Sequence, residues 1–264
     1  MAQFMSLGFT YDGLAGEDLG YYIVNMSGDS NELGLKKSIE EGDNNHSIKT
    51  YYGVKYDEFS FSIDIVKMPP NHSSYEILPI TEEDINFLNK WLLKPKDYKV
   101  FSSDQNRDIY YYAMFTNMKE TRIGTRGYLT LEMRLNGGFA YSSIIHHQYV
   151  VNILENNIRI NTKSTVDDYI YPDIILTIED TGNIEIKNET LGESMVFENL
   201  PSGTYMCYNE DMKHIQDITN PKKNLRPYFN GEWLRLIGNG VNILSVSGSC
   251  KIDICFQNKI AIQH

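Results

Sequence analysis

A chain of 264 residues exceeds the usual size of one domain, so two hydrophobic cores are expected, and a 41% apolar content suffices to fill both. The 24 basic and 35 acidic residues leave a formal charge of −11, which excludes a protein that holds nucleic acid by clustered Lys and Arg. Three cysteines make no disulfide framework, and the longest apolar run, Ile109 to Phe115, is too short to cross a membrane as a helix.

The charge is evenly spread. Residues to Ile145 carry 14 basic and 20 acidic groups, hence −6, and the remainder 10 and 15, hence −5. The start, Met1-Ala2-Gln3-Phe4, has neither the basic nor the apolar region of a secretory signal, so synthesis in the cytoplasm without export is expected. The 19 Tyr and 11 Phe favour strands, and the expected fold class is mainly β.

In chain order, Phe9-Thr10-Tyr11-Asp12-Gly13-Leu14 and Asp18-Leu19-Gly20-Tyr21-Tyr22-Ile23 pair glycine turns with short apolar strands. Ser27 to Asn45, rich in Gly, Asn, Asp, Ser and Glu, reads as an exposed loop or arm. From Glu58 to Lys67, Phe59, Phe61, Ile63 and Ile65 alternate with Ser60, Ser62 and Asp64, the pattern of a half-buried strand. Thr81-Glu82-Glu83-Asp84 resembles a capping box and opens one amphipathic helix over residues 81–93, with Phe87, Leu88 and Trp91 as its buried stripe and Pro95 beyond its end. Tyr98 to Phe101 and Ile109 to Phe115 read as a hairpin. Leu129, Leu131, Met133 and Leu135 repeat the strand alternation before a turn at Asn136-Gly137-Gly138.

The strand pattern lapses between Tyr141 and His147, which divides the chain into expected domains 1–143 and 144–264. The second half is a succession of short strands: 150–154, 158–161, 174–179, 184–187, 195–200, 204–208, 233–237, 241–246 and 251–257. Turn signals such as Thr181-Gly182-Asn183 and Gly238-Asn239-Gly240 separate them, at the spacing of a β-sandwich.

No catalytic grouping stands out. The chain lacks a nucleophile elbow, a phosphate loop and a calcium loop, and Asp167-Asp168 and Asp57-Glu58 read as solvated neighbours, so no enzyme and no cofactor are expected. His146 and His147 point apart in an extended strand, and neither has metal-site companions at the usual spacing, so no metal site is expected. Cys250 and Cys255 would face opposite sides of one strand and form no bridge. Trp233, after Asn230-Gly231-Glu232 and near Tyr228, could stack on a sugar ring; the favoured reading is that it starts a core strand with Leu234 and Leu236. In Tyr110-Tyr111-Tyr112 the outer members face one side and Tyr111 the other.

Three segments together resemble the distal tail protein family of long-tailed bacteriophages. They are Tyr11-Asp12-Gly13 followed by Asp18-x-Gly20-x-x-Ile23; the helix with Trp91-Leu92, Pro95, Tyr98 to Phe101, Asp104 and Tyr112-x-x-Phe115; and Gly231-Glu232-Trp233-Leu234-x-Leu236-x-Gly238-x-Gly240-x-Asn242-x-Leu244. The resemblance implies an N-terminal β-sandwich-like domain that forms a ring of six subunits, and a C-terminal galectin-like β-sandwich. Such a ring is a hub of the virion tail, joining the tail tube protein to tip, baseplate or receptor-binding components and leaving a lumen through which DNA passes unbound. Tyr11, Gly13, Gly20 and Tyr22 are the expected subunit contacts, and Tyr228 and Trp233 the expected contacts for a glycan. The alternative function is a carbohydrate-binding module for host surface glycans. True galectins order His, Asn, Arg, Trp and Glu on neighbouring strands, and this half has Trp233 and Glu232 without those partners.

Overall fold

The computed structural model describes residues 8–24, 37–42, 50–56, 59–70, 76–123, 126–152, 156–209 and 213–261. The chain divides into two compact units, one reaching Tyr141 and including the chain end from Ala261, the other Ser142–Ile260.

The first unit contains β1 (Phe9–Tyr11), β2 (Leu14–Ala15), β3 (Tyr21–Val24), β4 (Lys37–Gly42), β5 (Thr50–Tyr56), β6 (Ser60–Lys67), β7 (Lys99–Ser103), β8 (Ile109–Ile123), β9 (Arg126–Leu135) and β10 (Phe139–Ser142). An antiparallel sheet runs in the order β2-β1-β7-β8-β9-β6-β3, while β4 and β5 pair, among the described residues, with each other alone. Along β9 the alternation is kept, with Leu129, Leu131, Met133 and Leu135 all buried. On β6, Ile63 and Ile65 are buried as their pattern requires, but so are Asp64 and Val66. The sheet is covered on both faces here: Val66 joins Tyr22 and Met68 in a second small cluster, and Thr130 Oγ1 donates to Asp64 Oδ1 at 2.6 Å.

The helix α1 (Glu82–Leu88) widens into a π-type turn over Asn89–Leu93. Thr81 caps it reciprocally: the Asp84 N–H donates to the Thr81 hydroxyl and the Thr81 N–H to the Asp84 carboxylate. Leu88, Trp91 and Leu92 form the buried stripe. Phe87 does not belong to it, being 38% exposed and stacked on Tyr21 with ring centroids 6.2 Å apart. Trp91 lies on Phe9 and edge-on to Tyr11, at 5.7 and 6.5 Å between centroids.

The second unit contains β11 (Ile145–Val151), β12 (Asn156–Lys163), β13 (Asp173–Ile178), β14 (Gly182–Asn188), β15 (Glu193–Leu200), β16 (Gly203–Tyr208), β17 (His214–Asp217), β18 (Asn239–Ser247) and β19 (Cys250–Phe256). Sheets ordered β11-β19-β13-β16-β17 and β12-β18-β14-β15 share one core, to which Leu176, Ile252 and Ile254 contribute from the first and Ile186, Phe197 and Leu244 from the second. Alternating burial along β13, β14 and β19 is the signature of a sandwich with one wet and one dry face per sheet.

Residues 233–237 are not a strand, although Leu234 and Leu236 are buried. Leu236 keeps a single backbone bridge, to Ile170, and side-chain amides serve the residues on either side of it. Buried Asn242 accepts the Ile237 N–H at 2.8 Å, and buried Asn188 donates to the Arg235 carbonyl at 2.8 Å. Gly238 follows because a Cβ at that position would stand 2.1 Å from the Asp168 carbonyl oxygen. Strand β17 was invisible in the sequence, where only Ile215 supplies a core residue of its own.

Candidate functional site

Among the described residues the first unit shows two features open to a neighbour, terminal sheet strands and exposed apolar side chains. Its sheet ends in β2 at one side and β3 at the other. Strands β1 and β2 form a two-residue hairpin, with Tyr11 opposite Leu14 and positive φ at both Asp12 (51°) and Gly13 (78°), the requirement of a type I′ turn that Asp-Gly meets at low cost. Asp12, Gly13 and Leu14 are exposed at its tip.

Of the expected subunit contacts, the structure places the two tyrosines inside. Tyr11 and Tyr22 are both fully buried in their own subunit. Tyr11 packs edge-on against Phe115, 4.9 Å between centroids, and burial followed by the nearby Asp12 charge pushes its phenol up to about 12. The Tyr22 hydroxyl lies 3.2 Å from both the Glu17 and Pro69 carbonyls. These side chains hold the hairpin and β3 in place; what the segment offers outward is the turn, Leu14 and strand backbone. Gly20 ends the short helical turn Glu17–Leu19 at φ 80°, and a Cβ there would stand 2.6 Å from the Met68 carbonyl oxygen. Its role is therefore a tight internal turn.

The ribbon of β4 and β5 is the more exposed feature. Of the expected arm from Ser27 to Asn45, the residues outside 37–42 lie outside the described ones. On the ribbon itself Ile39, Tyr51 and Tyr52 are 63%, 63% and 67% exposed. Tyr52 is the extra residue of a bulge, between Gly53 opposite Glu40 and Tyr51 opposite Glu41; its ring lies where a Cβ of Gly42 would point, whereas Tyr51 shares the side of Glu41, so exposed tyrosines stand on both faces of the ribbon. An isolated two-stranded ribbon is at best marginally stable in water, which makes it a surface in search of a partner.

In the second unit Trp233 is half-buried, edge-on to Phe229 at 5.1 Å, and Phe229 stacks on Phe197. A shallow depression beside it is lined by Ile215, Leu225, Arg226, Phe229, Asn230 and Trp233 among others; Tyr228 packs against the core and does not line it. Asn230 is committed to the loop: its Oδ1 accepts the Val196 and Glu232 N–H groups and its Nδ2 donates to the Ser194 carbonyl. Of the two expected glycan residues, Trp233 alone lines the depression, and the amide nearest it in sequence is already bonded.

Asp167 and Asp168 are both exposed, and Asp168 also meets Lys259, whose Nζ lies 2.8 Å from its Oδ2. Asp57-Glu58 falls outside the described residues. His146, expected to lack companions, lies beside Asp253 and Cys255.

Residues 4–137 match the model of a phage tail protein N-terminal domain, and residues 139–256 that of a phage tail C-terminal domain. No curated protein matches the chain. Among solved structures, the crystal structure of the phage SPP1 Dit (gp 19.1) protein, presented as a paradigm of the hub adsorption apparatus in phages infecting Gram-positive hosts, is similar in fold. The TM-score is 0.66 over 95% of this chain and 98% of that one, at 12% identity. A likeness at that identity is one of fold.

Proposed function

The chain belongs to the family of phage tail proteins defined by those two domains, and from that membership we propose that it is the distal tail hub, a homo-hexameric ring joining the tail tube to the tip or baseplate. The observation that carries this reading is the β4–β5 ribbon with aromatic residues on both faces, borne by a unit whose sheet ends in short strands. In the ring, the ribbon and the β2 and β3 edges meet the neighbouring subunit by strand addition and apolar contact. In this reading residues 1–143 form the annulus, and residues 144–264 are a galectin-like sandwich that serves as a protein-docking or spacer module. The protein performs no reaction, and its partners are the tail tube protein and tip or receptor-binding proteins. Its acidic surface, net −11 per chain, repels DNA in the lumen and keeps it mobile.

Negative-stain imaging and mass photometry of the purified chain test the proposal. A six-fold annulus is expected, together with its conversion to monomer in the double substitution Tyr51→Ser, Tyr52→Ser at unchanged thermal stability. A wild-type chain that stays monomeric at every concentration would overturn it. The rival glycan-binding reading gains only if titration with wall glycans gives an affinity that Trp233→Ala abolishes.

A further inference from the structure

The outer face of the five-stranded sheet carries a group of side chains that assembly does not use. Strands β11 and β19 pair so that His146 stands opposite Cys255 and Gln148 opposite Asp253. The even-numbered residues of β11 and the odd-numbered ones of β19 point away from the core, so His146, Asp253 and Cys255 share one surface. His146 Nδ1 lies 3.2 Å from Cys255 Sγ and 3.3 Å from Asp253 Oδ2, and donor atoms of all three fall within 4.8 Å of one another.

Two readings compete for a Cys, a His and an Asp this close. A nucleophilic thiol needs the histidine to take its proton on one ring nitrogen while the carboxylate holds the other. Here one nitrogen, Nδ1, faces both partners. That convergence on one nitrogen suits a cation instead, and imidazole, thiolate and carboxylate are the donor set of zinc.

The spacing agrees. Zinc bonds of roughly 2.0–2.3 Å at tetrahedral angles separate N from S by about 3.6 Å and N from O by about 3.4 Å, so His146 Nδ1 needs to part from each of its two partners by only a few tenths of an ångström. A further sign is Asp253 Oδ1, which is buried and has no hydrogen-bond partner among the described residues, while Oδ2 is held by Gln148 Nε2 at 3.0 Å. Gln148 thereby orients the carboxylate as outer-shell residues do at metal centres.

We propose that His146, Asp253 and Cys255 form a binding site for a divalent transition metal of the zinc class, with its fourth position open to solvent on the exposed side of His146. On binding, the Cys255 S–H bond gives its proton to the buffer and the sulfur electron pair goes to the metal, with no change of oxidation state; one proton leaves per ion bound. The site clamps β11 to β19, strengthening the first pairing of the sandwich.

The test uses the full-length chain without an affinity tag, freed of metal by chelator. Zinc titration against a chromophoric competitor should show one saturable equivalent per chain with proton release, and cobalt(II) should give a thiolate-to-metal charge-transfer band. Cys255→Ser should abolish the band and, like His146→Ala, weaken binding at least tenfold. His147→Ala should leave both intact, because that ring lies on the core face, stacked on Phe256. Thermal unfolding of each variant without metal confirms the fold; His146→Ala removes an exposed side chain and should leave it unchanged. Absence of saturable binding at micromolar zinc, or binding that survives both ligand substitutions, overturns the site. The measurement needs no ring and stands apart from the hub reading.

Discussion

Trp91 donates its indole N–H to the main-chain carbonyl of Tyr11 across 3.1 Å, tying the only α-helix among the described residues to the first hairpin. Residues 80 positions apart thus hold one another in place, and the exposed turn at Asp12-Gly13 is presented from a fixed base. Trp91→Ala opens a cavity against Phe9 and Tyr11 and should destabilise the first unit by about 3–5 kcal/mol. Trp91→Phe keeps most of the packing but loses the hydrogen bond, at about 1–2 kcal/mol. Phe87→Ala, at a half-exposed ring, should cost less than either. Scanning calorimetry resolves the order.

Asp84 sets the acid limit of the same unit. Burial alone would raise its carboxyl, but hydrogen bonds from the Lys67 ammonium, the Thr81 N–H and hydroxyl, and the Tyr21 hydroxyl outweigh it and hold the group at about 2 instead of 3.8. A folded-state value below the unfolded one means stability that is complete above about pH 4 and lost as the pH falls toward 2, worth roughly 2 kcal/mol. Asp84→Asn should lower stability at pH 7 by about that amount and flatten the acid limb. Denaturant midpoints at pH 2.5, 4 and 7, followed by the fluorescence of Trp91, would show it; parallel curves for variant and wild type would refute it.

The two glycines of the opening motif separate by physical cause. Both have positive φ, but a Cβ at Gly13 meets nothing within 4 Å, whereas at Gly20 it meets the Met68 carbonyl. Gly13→Ala should therefore cost about 1 kcal/mol for the backbone conformation alone, and Gly20→Ala more, about 2–3 kcal/mol with the added clash. Thermal unfolding of the pair checks the difference.

What could be read beforehand follows the range of the interaction. The helix was legible because its capping box lies within four residues, and the hairpin because Asp12-Gly13 accepts positive φ locally. The faces of Tyr11 and Tyr22 were not legible, since strands of three and four residues are too short for alternation to choose a side. Asp64 looked outward by period, yet a second layer covers that face. The His146 cluster escaped because its companions lie 107 and 109 residues away and meet it only through strand register. Only the first strand of the exposed ribbon, Lys37–Gly42, fell within the arm read from composition over Ser27 to Asn45; Tyr51 and Tyr52 lie beyond it, and composition does not announce their exposure.

The closing motif around Asn242 shows polar side chains acting as backbone. Asn242 accepts the Ile237 N–H at 2.8 Å and the Asn188 amide at 3.2 Å, while Asn188 holds the Arg235 carbonyl and, through its own Oδ1, the Thr190 N–H at 3.0 Å. Both asparagines are fully buried, so truncating Asn188 strands the Arg235 carbonyl and truncating Asn242 the Ile237 N–H, away from water. Asn242→Ala should destabilise the second unit by about 2–4 kcal/mol. Asn242→Leu, similar in volume but unable to accept, should do no better, because the loss comes from the unpaired Ile237 N–H and not from an empty space. Trp233 borders this segment and reports its loosening by fluorescence, while the transition of the first unit, seen by calorimetry, should stay where it is. Rescue by Leu would mean that packing, not hydrogen bonding, holds residues 233–237 against the core.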